Sequence, residues 1–369
     1  MKVREIGDLL NRSIPLFYQE AYDNSGLQVG SPNHEVRSAL LSLDVTEEVV
    51  DEAIERGAGI IISHHPLIFS GLKSISGKTC IERAVIKAIK NDIAIYSAHT
   101  NLDLMPGGVS FRMAAKMGLS NIESLSQVSG KLNKLVVFVP LDHLANVRDA
   151  LFEAGAGHIG NYDRCSFNVS GEGTFRAGEG SEPYSGTPGT EHIEKEVRVE
   201  TIVPDNLIQP VVKALIGAHP YEEVAYDIYR LGNTVPGAGL GCIGDLHKEM
   251  DEIDFLEYAA EIFGAQQVKY ACLRGKPVRR VALCGGSGSS LIGDAIRSGA
   301  DIFITGDLKY HSFFESEGRM ILADIGHHES EKCSLEIFNE IITKKLPKFA
   351  VLFSKINTNP INYLRAWKK

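Results

Sequence analysis

The sequence predicts an α/β protein in which two related α/β halves form one metal-binding domain, interrupted by an α+β insert of ferredoxin-like pattern. Three observations predict it. Short apolar runs closed by turn residues alternate with helical patterns at both ends of the chain, which implies βαβ units and a parallel sheet. The stretch Ala53–Ser63 lines up without gaps on Ala295–Thr305, and the match carries His64-His65 onto Gly306-Asp307. The middle of the chain instead reads strand, helix, strand, then strand, helix, strand. The expected boundaries are residues 1–127, 128–234 and 235–369.

In the first segment, Ala39–Val45 reads as a strand, and Thr46-Glu47-Glu48 as a cap with acids in the first helical turn. A helix over Val49–Arg56 follows and Gly57 stops it. Ile60–Ile62 is the next strand, Cys80–Lys90 a helix with apolar residues at helical spacing, and Ile93–Tyr96 a third strand. In the insert, Leu135–Val139, Val197–Val203 and Val224–Tyr229 read as strands, with helices over Ala145–Glu153 and Leu207–Ile216. The Gly/Ser/Pro-rich stretch Gly171–Gly189 reads as a long loop or hairpin tip, and Gly232–Gly241 as the return linker. In the last segment, strands are expected at Val281–Cys284, Ile302–Thr305 and Ile321–Ala323, helices at Leu291–Arg297 and Ser334–Lys344, and a closing strand at Ala350–Phe353.

The chemistry sits just past three apolar runs: Ser63-His64-His65-Pro66, Thr100-Asn101-Leu102-Asp103, and Gly326-His327 through Glu331. Ligands of parallel sheets lie beyond the carboxyl ends of the strands. Imidazoles and carboxylates without a nearby thiolate suit zinc, manganese or iron, and a carboxylate able to bridge makes a two-metal site plausible. His64 and His65 are adjacent and should point to opposite sides, so one for each of two metals is easier than both on one. Asp103 reads as a ligand or as a cap for the segment after Pro106. His327 and Glu331, four apart, share a face at the start of a helix; His328 points elsewhere. His99 repeats that spacing with Asp103 and reads as an orienter or proton carrier beside the metals. Asp307 and His311 are weaker candidates of the same kind. The loop Gly285–Ser290 before a helix reads as a tight turn or an anion cradle.

Composition narrows the class. The 369 residues are 44% hydrophobic and carry a net charge of −9. That balance, without basic runs, disfavours nucleic acid as the main partner without excluding it. The amino-terminal stretch lacks the apolar region of a secretory signal, and no apolar stretch reaches the roughly 20 residues that span a bilayer. The six scattered cysteines read as reduced thiols, which points to the cytoplasm.

These segments resemble the GTP cyclohydrolase I type 2 homolog family, the Nif-three-like dinuclear-metal proteins. The resemblance rests on Tyr22–Gly30, Ser63–Leu67, the Asn101–Asp103 turn, Gly285–Gly288, Thr305–Asp307 and Gly326–Glu331. Gly155–Tyr162 and His219-Pro220-Tyr221-Glu222-Glu223 look like the PII/CutA-like insertion of the longer members. The resemblance implies two divalent cations held by His64, His65, Asp103, His327 and Glu331, with Glu331 bridging, and a homohexameric toroid. Two function classes follow. One is a metal-dependent hydrolase acting on a nucleotide or another phosphorylated or cyclic-amide substrate, with His99 moving the proton. The other is a non-enzymatic metal-binding or regulatory assembly, with the insert sensing a ligand or partner.

Overall fold

The computed structural model describes residues 1–364 and divides into two compact units, 1–127 with 237–369, and 128–236. It is mixed α/β with three sheets.

The first unit holds two sheets. In one, Ser38–Ser42, Ile60–Ser63 and Ala94–Ser97 run parallel in that order, and Gly26–Val29 closes the edge antiparallel to Ala94–Ser97. In the other, Val278–Ser287, Ile302–Gly306 and Ile321–Asp324 run parallel, and Lys269–Tyr270 closes the edge antiparallel to the last of them. The strands are continuous apolar runs because both faces are covered. Outside the first sheet, helices Glu47–Glu55 and Cys80–Lys90 bury Val49, Val50, Ala84 and Val85 against Leu40, Ile61 and Ile95. Both helices start on a threonine whose hydroxyl accepts a first-turn amide, Thr46 from Val49 and Thr79 from Glu82. Such a cap contributes about 1 kcal/mol. Between the sheets lies one core that joins Leu41, Ile62 and Tyr96 to Leu283, Ile304 and Phe338.

The last strand departs from expectation. Ala350–Phe353 does not close the second sheet but runs parallel to Ser38–Ser42 in the first. Conversely, Ser120–Ser129, from the first segment, forms the edge of the second sheet beside Thr234–Met250. Each sheet thus takes a strand from the other end of the chain.

The second unit is one antiparallel sheet. Its strands Leu132–Pro140, Ser166–Arg176, Glu191–Pro204 and Tyr226–Leu231 stand in the spatial order fourth, first, third, second. Helices Leu144–Glu153 and Ile208–Ala218 cover one face, burying Val147, Leu151, Val211 and Leu215 on Leu135, Val137 and Val199. The stretch 171–189, expected as a long loop or hairpin tip, holds a hairpin tip: residues 171–176 extend a strand paired in register with Glu191–Glu196, so the connection is 177–190. Among the described residues, no helix is long and apolar enough to cross a membrane.

Candidate metal centre

The centre is assembled from strand ends of both sheets of the first unit. His64 and His65 follow Ile60–Ser63; His99 and Asp103 follow Ala94–Ser97, with Asp103 in the short helix Thr100–Leu104. His327 and Glu331 open and close the helix His327–Glu331 after Ile321–Asp324. Parallel pairing in register, Ser63 beside Ser97 and Thr305 beside Asp324, brings these ends level.

Each imidazole is held by its Nδ1. His64 Nδ1 lies 2.9 Å from the Ala98 carbonyl, and His65 Nδ1 lies 2.7 Å from Asp44 Oδ1. His99 Nδ1 lies 2.9 Å from Asp23 Oδ1, and His327 Nδ1 lies 2.7 Å from Asp307 Oδ2. An acceptor at Nδ1 places the ring proton there and leaves Nε2 as a donor atom for a cation. The donor atoms then fall into groups. His64, Asp103 and Glu331 form one; His65, His327 and Glu331 form another. Glu331 divides its oxygens between them. Oε1 lies 3.7 Å from His64 Nε2, while Oε2 lies 2.8 Å from His65 Nε2 and 2.9 Å from His327 Nε2. His64, His65 and His99 form a third, overlapping group.

His64 and His65 do not point apart as expected. Their ring centroids are 5.1 Å apart and both face the cluster. Asp103 belongs to the cluster rather than serving as a remote cap. His328 and His311 stay outside all three groups; His311 instead packs against Tyr310 and Phe314.

Two buried atoms carry the diagnosis. His64 Nε2 and Asp103 Oδ1 are 3.6 Å apart, fully enclosed, and neither has a hydrogen-bond partner. Leaving such a group unsatisfied costs about 1–3 kcal/mol. A hard or borderline divalent cation between nitrogen and oxygen donors removes that cost, so the residues fit a metal. The charges agree. Burial pushes Asp103 up to about 6. Burial opposes charge on the imidazoles, yet the Asp44 and Glu331 carboxylates drive His65 up to about 10, and Glu331 and Asp307 drive His327 up to about 9. Burial also opposes ionisation of Glu331, but His64, His327 and His65 hold it well below its ordinary range. In the metal-free chain, protons stand in for cations.

The glycines of the loop 285–290 are explained by packing. A Cβ at Gly286, whose φ is +64°, would collide with Glu331 Oε1, and one at Gly306 would collide with the backbone of His327. Three amides of the loop are already used: Gly285 N donates to Ser110 Oγ, Gly286 N to Ser330 Oγ and Gly288 N to Thr305 Oγ1. Close approach of backbone and carboxylate accounts for Gly286 and Gly306.

The two sides of the centre differ in access. The His64 side chain is fully buried, whereas His327 is 33% exposed. A cavity of about 280 Å³ opens beside His65 and His327, walled by Leu43, Asp307, His328 and the carboxy-terminal residues Asn359–Ile361. Asn359 Nδ2 donates to Glu329 Oε1, which fixes that segment.

Sequence reasoning missed Asp23, Asp44 and the carboxy-terminal wall. Asp44 reads as part of the strand Ala39–Val45, whereas the strand ends at Ser42 and leaves Asp44 at its polar tip. Asp23 lies in Tyr22–Gly30, a stretch that carries the family resemblance, but no periodic pattern assigns it a role.

A family model described as Duf34/NIF3 (NGG1p interacting factor 3) matches residues 1–360. The GTP cyclohydrolase 1 type 2 homolog of Halalkalibacterium halodurans is 41% identical over 353 residues, covering 93% of this chain and 93% of that protein. The Bacillus subtilis protein of the same name is 39% identical over 374 residues, covering 98% of each. A crystal structure of a Bacillus cereus protein related to NIF3 superposes with a TM-score of 0.79 at 41% identity, over 99% of both chains.

Proposed function

This chain belongs to the Duf34/NIF3 family, and we propose that it is a dinuclear divalent-metal hydrolase. The observation that carries the proposal is the division of Glu331 between two donor groups, one oxygen toward His64 and the other toward His65 and His327. His64, Asp103 and Glu331 would hold one cation; His65, His327 and Glu331 the other. Zinc, manganese and iron all suit this donor set. Two bound cations supply Lewis acidity and lower the pKa of water near neutrality. The protein does the rest. Asp44 and Asp307 lock the rings of His65 and His327, so the donors stay in place when substrate enters. Asp23 holds His99 Nδ1, leaving His99 Nε2 to take up and release a proton. The cavity beside His65 and His327 admits a small polar substrate to that side. A nucleotide or another phosphorylated or cyclic-amide compound is the proposed class.

The cavity favours the hydrolase over a purely structural centre, whose ligands would be closed to solvent. The competing reading, a non-enzymatic regulatory assembly with the second unit as sensor, draws support from the separate cavity described below. Two further parts belong to the proposal. The two sheets share the order of their three parallel strands, an antiparallel edge strand, and a short helix that starts near a histidine and ends near an acid; this supports descent from a duplicated half. The strand order of residues 128–236 supports a ferredoxin-like insert between those halves. A homohexameric toroid completes the reading and is tested by the sedimentation mass of the native protein.

Elemental analysis of purified protein tests the centre. Two metal equivalents per chain, lost in Glu331→Ala, are expected. Unchanged metal content in that variant overturns the bridging role. A screen of nucleotides, phosphate esters and cyclic amides against the zinc, manganese and iron forms tests hydrolysis; no turnover by any form overturns it. Replacing residues 128–236 with a short linker should leave metal content intact, because Ser120–Ser129 and Thr234–Met250 are neighbours in one sheet. Aggregation with loss of metal overturns the insert reading.

A further inference from the structure

The segment His219-Pro220-Tyr221-Glu222-Glu223 lies in the second unit and takes no part in the metal centre. Its conformation is fixed. His219 Nε2 donates to the Phe138 carbonyl at 3.0 Å, and its Nδ1 accepts the Tyr221 amide at 3.2 Å. The Tyr221 ring packs edge-on against His219, with centroids 4.8 Å apart. This delivers Tyr221 to the open face of the hairpin formed by Ser166–Arg176 and Glu191–Pro204.

There Tyr221 meets two more rings, Tyr184 at 5.9 Å and Phe175 at 6.4 Å between centroids. Tyr184 comes from the connection 177–190, which is tied down at three points. Tyr184 OH lies 3.0 Å from His143 Nε2, Ser185 Oγ donates to Glu194 Oε2 at 2.5 Å, and the Glu182 amide donates to Glu222 at 3.1 Å. The rings and Glu196, Glu222 and Glu223 line a cavity of about 400 Å³. That is within the roughly 300–1,000 Å³ of small-molecule sites.

The charge in this cavity lacks an internal partner. Among the described residues, no lysine or arginine reaches Glu196, Glu222 or Glu223 within ion-pair distance. Arg176 also lines the cavity but is exposed. Glu196 is half-buried and aimed: Tyr221 OH donates to its Oε1 at 2.8 Å, and its Oε2 lies over Gly173, where a Cβ would displace it. Burial and the Glu196 carboxylate keep the Tyr221 proton in place, so Tyr221 is a donor and not a second anion. Aromatic faces with a fixed, unneutralised carboxylate are the elements that bind alkylammonium groups, through the ring quadrupole and a charge-assisted contact.

We propose that the cavity between Phe175, Tyr184, Tyr221 and Glu196 binds a small organic cation, an alkylamine or quaternary ammonium compound. The site is independent of the metal centre, and its failure would leave the hydrolase reading untouched.

The test is calorimetric titration of the intact, metal-loaded protein with tetramethylammonium chloride and, separately, putrescine dihydrochloride. Sodium chloride controls for ionic strength and ADP serves as the anionic competitor. Saturable binding of at least one organic cation is expected. Glu196→Gln, which keeps the Tyr221 bond and removes the charge, and Tyr184→Leu, which removes a half-exposed ring, should each weaken it by on the order of 10-fold. Both variants should retain wild-type metal content and melting temperature. Absence of saturable binding at millimolar probe overturns the proposal. So does binding that survives both substitutions, which marks it as nonspecific or seated at the acidic metal centre. Binding of ADP in place of the cations, abolished by the same substitutions, assigns the cavity to an anion and overturns it equally.

Discussion

The Thr358 hydroxyl donates to Asp44 Oδ2 at 2.6 Å, although the two residues are 314 positions apart. The other oxygen of Asp44 holds His65 Nδ1. The carboxy-terminal segment therefore buttresses the carboxylate that orients a ligand candidate, and the strand Ala350–Phe353 carries it there by pairing with Ser38–Ser42. Orienting carboxylates of this kind are worth about 10–100-fold in metal affinity. Asp44→Ala should weaken binding on the His65–His327 side by that factor and leave the His64–Asp103 side loaded, as read by chelator competition. Thr358→Val should give a smaller effect of the same sign. Equal loss of both cations in Asp44→Ala would mean that Asp44 supports the fold rather than one ring.

His99 sits 5.4 Å from His64 and 5.5 Å from His65 between ring centroids, with Nδ1 on Asp23. Asp23 also accepts the amide and hydroxyl of Thr100, so its carboxylate stays ionised well below the usual range despite burial, with His99 and Thr100 the cause. On the proposed reading, a histidine so anchored carries the proton through its other nitrogen. His99→Ala should keep the metals and reduce turnover of any substrate found by on the order of 100-fold. Loss of metal instead would make His99 a ligand.

Metal uptake should depend on pH, with a definite sign. In the metal-free chain His65 and His327 keep protons up to about 10 and about 9, because Glu331 and their orienting carboxylates outweigh burial. A cation must displace those protons. Apparent affinity should therefore rise from pH 6 toward pH 9, and calorimetry in buffers of different ionisation enthalpy should show proton release on binding. The same imidazoliums stabilise the metal-free fold fully below the ordinary histidine value of 6.5. That contribution shrinks as pH rises above 6.5 and is gone once pH passes 9 to 10, so the metal-free melting temperature should fall over the range in which metal binding strengthens. A flat affinity profile contradicts the proton-for-metal exchange.

The candidate ligands were legible because each follows a buried parallel strand, and the apolar run marks the strand without any knowledge of its neighbours. Cys80–Lys90 was legible to the residue from its apolar spacing, and the Thr79 cap seen in the structure fixes the same start. What stayed hidden depends on pairing partners. Ser120–Ser129 is a polar edge strand, and residues 171–176 carry Gly, Glu and Thr that read as loop until paired with Glu191–Glu196. The destination of Ala350–Phe353 is set by which sheet offers an open edge, which local sequence does not encode. Asp23 acts across 76 residues on His99, and only the folded chain reveals that distance.

Gly286 offers the sharpest separation of site from fold. It is the penultimate residue of the strand Val278–Ser287, beside Glu331; its amide donates to Ser330 Oγ at 2.9 Å, and its φ of +64° is costly for any residue with a Cβ. A methyl group here points at Glu331 Oε1, the oxygen that faces His64. Gly286→Ala should therefore push the shared carboxylate off the His64–Asp103 side. The backbone strain itself costs about 1–2 kcal/mol, which a domain of this size survives. The expected variant is folded, with a circular dichroism spectrum like the wild type, and carries one metal equivalent instead of two. Full occupancy in a folded Gly286→Ala protein would show that Glu331 has room to move and that the glycine loop does not set its position.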